Sequence, residues 1–436
     1  MSHLSRRRFQ ANQQLNKETA MYAKWQWVLR RISKRIWFRA SLFSVLGIVS
    51  ALASLTLRQY MPDTLSTKIG ADAVDNILGI IASSMLAVTT FSLSTMVSAY
   101  GSATNTVTPR ATSLLVEDST TQNALSTFIG SFLFSLVGII ALSTGAYGNK
   151  GRLILFVVTI GVIAVIVYTL LRWIDHLARL GRLGETTDRV EEATLRAIAE
   201  RKERPYLGGQ PFPVNGVLPM AVRHIYPVDI GYVQHIDMPA LARLSENPES
   251  RIYLHAVPGT FAEHTMPLAS VIAVDEDDDG GVRAAFSIGV RRSYEQDPRF
   301  GISVLTEIAS RALSPAVNDP GTAIDIIGRG IRVFSAFADT HPTEVQDEHD
   351  CSRVFVHGLN VQDMFDDFFM PIGRDGAAMV EVGVRMQKAL AALSRIDSPG
   401  FATAAQRHST LALKRAGAAL AIEEDLQRLR ILSLQI

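Results

Sequence analysis

The side chains best suited to chemistry gather in two soluble clusters and on one apolar helix. Glu295, Gln296, Asp297, Asn318 and Asp319 form the densest polar group of the carboxy-terminal half. Carboxylate and amide oxygens suit a hard cation such as magnesium or calcium, so Gln296, Asp297, Asn318 and Asp319 are candidates for a hydrated ion or ligand site. They also fit a structural role. Asp297-Pro298 and Asp319-Pro320 have the order of a capping residue followed by proline at the first helical position. The second acidic group is Glu348-His349-Asp350 with Asp363, Asp366 and Asp367. Its later acids alternate with Phe365, Phe368 and Phe369, as on an amphipathic helix that buries phenylalanine.

The apolar helix is the stretch from Ile77 to Arg110. Its first two-thirds carries no charge and exceeds the ~20 residues needed to cross a bilayer. Ser83, Ala87, Thr90, Ser94, Ser98, Gly101 and Asn105 recur at three- and four-residue spacing, which puts small and polar side chains on one face. Such a face serves close helix packing, or it lines water in a pore or cavity of an oligomer. In the second case Ser83, Thr90, Ser94, Ser98 and Asn105 line the path. Asp72 and Asp75 then stand at one mouth and Arg110 at the other.

Absences narrow the chemistry further. No lysine lies between Lys202 and Lys388, and no glycine-rich loop ends in lysine, so a phosphate loop of the pump type is missing. Gly328-Arg329-Gly330 is a lone pair of glycines within a helical pattern, and no nucleophile elbow is present. The histidines lack paired metal spacing, and the single cysteine, Cys351, rules out an internal disulfide or a cysteine-built zinc site. No cofactor or resident metal is expected. The apolar spans hold no carboxylate, lysine or histidine at mid-membrane, where ion-coupled carriers place them. A net charge of +1 gives no footprint for nucleic acid.

The elements that must position these residues form two unlike halves. The fold class expected is a membrane protein, with four transmembrane α-helices and a cytoplasmic α+β carboxy-terminal domain. Residues 1–36 are a basic amino-terminal segment, cytoplasmic or interfacial, in which Trp25, Trp27, Val28 and Ile32 suggest a helix lying at the membrane surface. Residues 37–174 form the membrane domain, with spans at about 37–57, 77–100, 124–144 and 153–173. A polar linker holding Pro62, Asp63, Asp72 and Asp75 joins the first two, and a bend is expected near Pro109. Residues 175–203 read as a connecting helix, and the Pro- and Gly-rich stretch 204–215 opens the α+β domain, 204–436. Strand character falls at 229–236, 251–257, 269–274 and 282–290, with Asp275–Gly281 (DEDDDGG) as a solvated hairpin turn. Helices are expected at 302–313, after Asp319, and at 377–396, 404–419 and 422–432.

Basic residues concentrate before the first span and after the fourth, and all four tryptophans sit at those ends. Both termini are therefore expected in the cytoplasm of a bacterial cell, with the chain a multi-pass protein of the inner membrane.

Several phrases resemble a large bacterial family of predicted membrane proteins catalogued as a domain of unknown function. They are Gln296-Asp297-Pro298-Arg299-Phe300-Gly301, Ala312-Leu313-Ser314-Pro315-Ala316-Val317-Asn318-Asp319-Pro320-Gly321, Thr108-Pro109-Arg110, Asp118 with Gln122, Gly231-Tyr232-Val233-Gln234 and Pro258-Gly259. The resemblance covers nearly the whole chain. It implies four spans and a cytoplasmic carboxy-terminal domain, and it supplies no activity. The exit of the second span is richer in Ser, Thr and Asn than that family's pattern.

The leading expectation is a homo-oligomeric channel or channel-like pore with a regulatory cytoplasmic domain. Its partners would be the lipid bilayer, further copies of itself and a small ion, with no nucleic acid. The alternative is a membrane-anchored binding, sensory or scaffold module without transport. A membrane enzyme using Asp297 and Asp319 ranks third, since no catalytic motif is recognisable.

Overall fold

Small and apolar residues without a helix breaker carry α1 without interruption over Ala71–Thr106. The computed structural model describes residues 38, 41–46, 48–49, 53, 71–116, 118–144, 148–179, 181–213, 216, 218–219, 222–338 and 351–433. The chain divides into two compact units whose boundary in sequence falls between Thr186 and Thr187.

In the first unit, α1 is followed by α2 (Thr112–Val116), α3 (Ser119–Ser143) and α4 (Gly148–Leu177). Three helical stretches among the described residues are long and apolar enough to cross a membrane: Ala73–Ser102, Thr112–Ser143 and Gly151–Leu177. The first span expected, 37–57, lies largely outside the described residues, as do Trp25, Trp27 and Trp37. Residues 41–46 are helical there, and the backbone of Phe43 lies against Gly130, whose missing β-carbon makes room for it. α3 is the central helix, with Phe128 and Phe134 buried. Val74 and Leu78 of α1 pack with Phe134 and with Leu155 of α4. Ile81 and Met85 pack with Phe128 and with Ile166 and Trp173 of α4.

The polar linker expected before α1 is shorter than its sequence suggests. Asp72 and Asp75 belong to the helix, where acids in the opening turns favour the free N–H groups of the amino end. At the other end α1 continues beyond the expected span, 77–100, to Thr106, and the chain turns at Thr108–Ala111, where the bend near Pro109 is expected.

The second unit contains α5, Leu183–Glu203, from Thr187 onward. A five-stranded sheet has the order β1 (Gln210–Pro211), β8 (Val354–Val356), β4 (Arg251–Leu254), β6 (Ala269–Ile272) and β2 (Arg223–Ile225). β1, β8 and β4 are parallel, and β6 runs against both β4 and β2. A second sheet has β3 (Gly231–Ile236) between β5 (Phe261–Ala262) and β7 (Phe286–Gly289). Ile225, Ile252, Leu254, Val271, Val354 and Val356 from the first sheet share a core with Val233, Ile236 and Phe286 from the second. Alternation along the strands accounts for this, because every second residue faces inward.

The acidic run Asp275–Gly281 is not a hairpin turn. It folds as a short 3₁₀ turn, Glu276–Asp278, and then α7, Asp279–Ala284, and the strands it joins lie in different sheets. Acids at a helix start and the fully buried Val282 favour this outcome. Only Phe286–Gly289 of the expected strand 282–290 is extended.

The remaining helices are α6 (Met238–Leu244), α8 (Pro298–Ala312), α9 (Pro320–Ala338), α10 (Val361–Asp375), α11 (Val380–Ser394), α12 (Phe401–Ala419) and α13 (Glu423–Ser433). Phe334 of α9, Phe365, Phe368 and Phe369 of α10 and Phe401 of α12 are completely buried together. Gly330 lets Phe368 approach the α9 backbone, since a β-carbon there would stand 2.2 Å from the ring. α5 locks onto this helical layer at two points. Thr194 occupies the space over Gly301, and Glu191 receives both Arg329 (2.7 Å) and Arg332 (2.5 and 2.8 Å).

Candidate functional site

The hydroxyl stripe of α1 points away from the helices packed against it. At about 100° of turn per residue, Ser83, Thr90, Ser94 and Ser98 fall within an arc of roughly 80°. Val74, Ile81, Met85, Ser92 and Met96, which pack inward, centre about 180° away from it. All four stripe residues are exposed. Exposed apolar side chains flank them, Ile80 and Phe91 on one side and Leu86, Leu93 and Val97 on the other. The stripe is therefore not the surface that joins α1 to α3 and α4.

Part of the hydrogen-bonding demand of this face is met inside the helix. The Ser83 hydroxyl donates to Gly79 O at 2.9 Å and that of Thr90 to Leu86 O at 2.8 Å. Back-bonding of this kind leaves oxygen lone pairs outward as acceptors. Asp75 is exposed on the second turn of α1, and Arg110 is exposed just beyond its carboxyl end. Asp72 and Asn105 lie on the helix, and only their backbone is described. The helix spans ~54 Å by its rise, well beyond the ~30 Å hydrocarbon core, so both ends stand clear of the apolar layer.

At the end of the first unit where α3 begins and α4 finishes, the structure brings together a polar group not proposed from sequence. Asp118 caps α3 by accepting from the Thr121 amide (2.7 Å) and hydroxyl (2.6 Å). His176 Nε2 stands 2.9 Å from the same carboxylate oxygen, and both residues are buried. Trp173 packs against the His176 ring and donates from Nε1 to Ser92 Oγ at 2.9 Å. The cap was legible from Asp118 and the helix start behind it. The histidine, 58 residues on, had no local signal.

The cluster anticipated from Gln296 to Asp319 is two separate places. α8 starts at Asp297 and finishes before Asn318, so its ~22 Å length holds them apart. At the far end Asp319 caps α9, accepting from the Thr322 amide at 3.1 Å and its hydroxyl at 2.5 Å. Those bonds hold its carboxyl below the ordinary value. Asn318 adopts a left-handed φ of +52°, which asparagine tolerates, and turns the chain between α8 and α9.

At the near end Asp297 sits in a knot. Its carboxylate receives Arg292 through Nε (2.7 Å) and Nη2 (2.8 Å) and caps α8 at the Phe300 amide (3.1 Å). Burial pushes the Asp297 carboxyl up, and Arg292 opposes the shift. The Gln296 side-chain oxygen accepts from the Ile236 amide at 3.1 Å. Gly259, at φ +94°, leaves room for the Asp297 carboxylate, and its amide donates to Val233 O. Burial also pulls the Arg201 guanidinium down to about 10, with Asp297 working against it. Every role seen for Gln296, Asp297 and Asp319 is thus a cap or a strut. Among the described residues no group of His, Cys, Asp and Glu is arranged to hold a metal ion.

The second acidic group also resolves into pairs. Asp363 and Asp367 flank Arg299 at 2.7 Å each, and Asp366 meets Arg407 and His408 at 2.9 Å. Glu348, His349 and Asp350 lie outside the described residues.

A family model described as a predicted membrane protein, DUF2254, matches residues 33–392. An uncharacterised protein of Mycobacterium bovis and another of Mycobacterium tuberculosis strain H37Rv are each 27% identical over 243 residues. That stretch is 51% of this chain and 44% of each relative, so the match spans less than half of the relatives' length. No solved structure matches the chain.

Proposed function

The chain belongs to this family of predicted membrane proteins, DUF2254, and on that footing we propose that it forms a homo-oligomeric, channel-like pore for a small ion. In this reading the membrane is the bacterial inner membrane, a further span precedes α1, and both termini are cytoplasmic. The carboxy-terminal unit then serves as the regulatory part.

The observation that carries the proposal is the direction of the α1 stripe. Small and hydroxyl-bearing side chains opposite the packed face of their own subunit need a partner other than lipid tails. A symmetric ring of copies supplies one, with Ser83, Thr90, Ser94, Ser98 and Asn105 around a shared axis. Outward oxygen lone pairs there can replace part of a cation's hydration. Asp72 and Asp75 would ring one mouth and Arg110 the other.

The test is flux of potassium or chloride into proteoliposomes, paired with particle imaging of the assembly. Ser94→Trp is expected to abolish flux while leaving the oligomer intact. Unchanged flux through a normally assembled Ser94→Trp protein would remove the pore.

A further inference from the structure

One face of the five-stranded sheet is the aliphatic core, and the other is built from imidazoles and aromatic rings. Register sets this division. Tyr253 pairs with Phe355 and with Ser270, and Ser270 pairs with His224, so these four side chains share the face opposite Ile252, Val271 and Val354. Two residues further along each strand, the same face carries Phe212, His357, His255 and Tyr226. Phe212 and His357 stack with ring centres 3.9 Å apart, and Tyr253 stacks on Phe355 at 4.8 Å. His224, Tyr226 and His357 are exposed, and Phe212 and His255 are half-buried.

Two of the histidines converge on one hydroxyl. Ser270 Oγ lies 2.7 Å from His224 Nδ1 and 2.6 Å from His255 Nε2. A hydroxyl has one proton, so it donates to one ring and accepts from the other. His224 Nε2 and His255 Nδ1 have no hydrogen bond among the described residues. Burial and the imidazoles of His224 and His357 hold His255 below its ordinary value, and no carboxylate counters them. None of the strand residues on this face is acidic, and Arg251 and Arg353 belong to the same face. The imidazoles are not arranged to share a metal ion. Phe212, His357, His255 and Tyr226 follow the carboxyl ends of four strands that run the same way, the edge where open α/β sheets receive ligands.

We propose that this face binds a mononucleotide, with the phosphate held by His224 and His255 and the base lying against the stacked rings of Phe212 and His357. The ring that accepts from Ser270 carries its proton on the outer nitrogen, and a proton taken up with the phosphate gives the other ring an outer N–H as well. With no competing carboxylate the pair selects an anion, and a stacked pair of flat rings selects a flat partner. A single nucleotide fits better than a polynucleotide. A strand of phosphates requires a track of cations, and the cations of this face, Arg251 and Arg353, stand at the amino ends of β4 and β8, away from the histidines. Ligand binding here is independent of whether α1 lines a pore.

The experiment is calorimetric titration of the full-length protein in nanodiscs with AMP, GMP, CMP and UMP in turn. Adenosine, inorganic phosphate and a ten-nucleotide adenine RNA are titrated alongside. At least one nucleotide is expected to saturate below about 1 mM, with nucleoside and phosphate each weaker by about tenfold or more. Phe212→Ala is expected to weaken the nucleotide about tenfold or more, the loss a missing stacking partner gives, at an unchanged melting temperature. If Phe212→Ala unfolds the protein, His357→Gln, on an exposed side chain, takes its place with the same expectation. The proposal is overturned if no nucleotide saturates, or if phosphate alone binds as tightly as the nucleotide. It is overturned equally if the RNA binds more tightly than every nucleotide, or if a folded variant binds unchanged. Flux is not measured, so failure of the pore leaves this result standing.

Discussion

The carboxylate of Asp297 occupies the space that a side chain at Gly259 would need: an ideal β-carbon on that glycine would stand 2.4 Å from Asp297 Oδ2. The left-handed φ of +94° makes the position strained for any other residue as well. Gly259→Ala should therefore cost about 1–3 kcal/mol from backbone strain alone, and more from displacement of the carboxylate. Chemical denaturation of the full chain in detergent, followed by tryptophan-independent circular dichroism, reads the loss. A variant as stable as the parent would mean that the Asp297 knot is not the anchor described.

Glu191 is the buried acid between Arg329 and Arg332, and its side chain is 9% exposed. Arg329 keeps Asp188 (2.6 Å) and Asp325 (2.7 Å) when Glu191 is removed, so the loss is that of the buried charge-assisted hydrogen bonds of Glu191 and not of an orphaned charge. Glu191→Ala is expected to destabilise the carboxy-terminal unit by about 1.5–3 kcal/mol, against much less for Arg332→Ala, whose head group is mostly in water. Equal losses from the two substitutions would contradict the burial argument.

Asp118 does two jobs that substitution can separate. Asp118→Asn keeps an oxygen for the Thr121 amide and gives up the charge beside His176, whereas Asp118→Ala loses both. The alanine variant should melt earlier than the asparagine variant by the worth of a helix cap, about 1 kcal/mol. Scanning fluorimetry in detergent distinguishes them, and identical melting would show that the cap contributes nothing.

The pH dependence follows from four imidazoles. Burial holds His235, His255, His357 and His408 below the ordinary histidine value of 6.5. Each binds a proton less readily in the folded chain than in the unfolded one. Their contribution is intact above 6.5 and is lost as pH falls from there through the folded values. The buried Asp297 carboxyl, raised above 3.8, works in the opposite sense and offsets part of the loss. The melting temperature of the carboxy-terminal unit should be lower at about pH 5.5 than at about pH 7.5. A flat profile across that window would refute the assignment.

Charge at the ends of α1 provides a further check on the pore. Asp75 is exposed near one end and Arg110 just past the other. Asp75→Lys should shift the reversal potential of the reconstituted protein toward anions, because a ring of fixed charge concentrates the opposite ion at its mouth. An unchanged reversal potential with measurable flux would take Asp75 out of the conduction path.

The amino-acid sequence by itself determined what local chemistry can determine. Charge-free stretches long enough to cross a bilayer marked α1, α3 and α4, because the cost of burying charge in hydrocarbon acts residue by residue. The caps at Asp297 and Asp319 were legible for the same reason, since a cap and its amide lie three residues apart. The phenylalanine face of α10 followed from helical period alone. Tertiary structure decided the rest. It separated Asp297 from Asn318 and Asp319 by the length of α8, although sequence proximity had grouped them. It turned the DEDDDGG run into a helical link, because the strands on either side joined different sheets. It turned the α1 stripe away from α3 and α4, a choice between two faces that periodicity exposes but cannot make. It also gathered His224 and His255 around Ser270 from three strands and stacked His357 on Phe212. Strand register is set by long-range pairing, which leaves no trace in the spacing of those histidines along the chain.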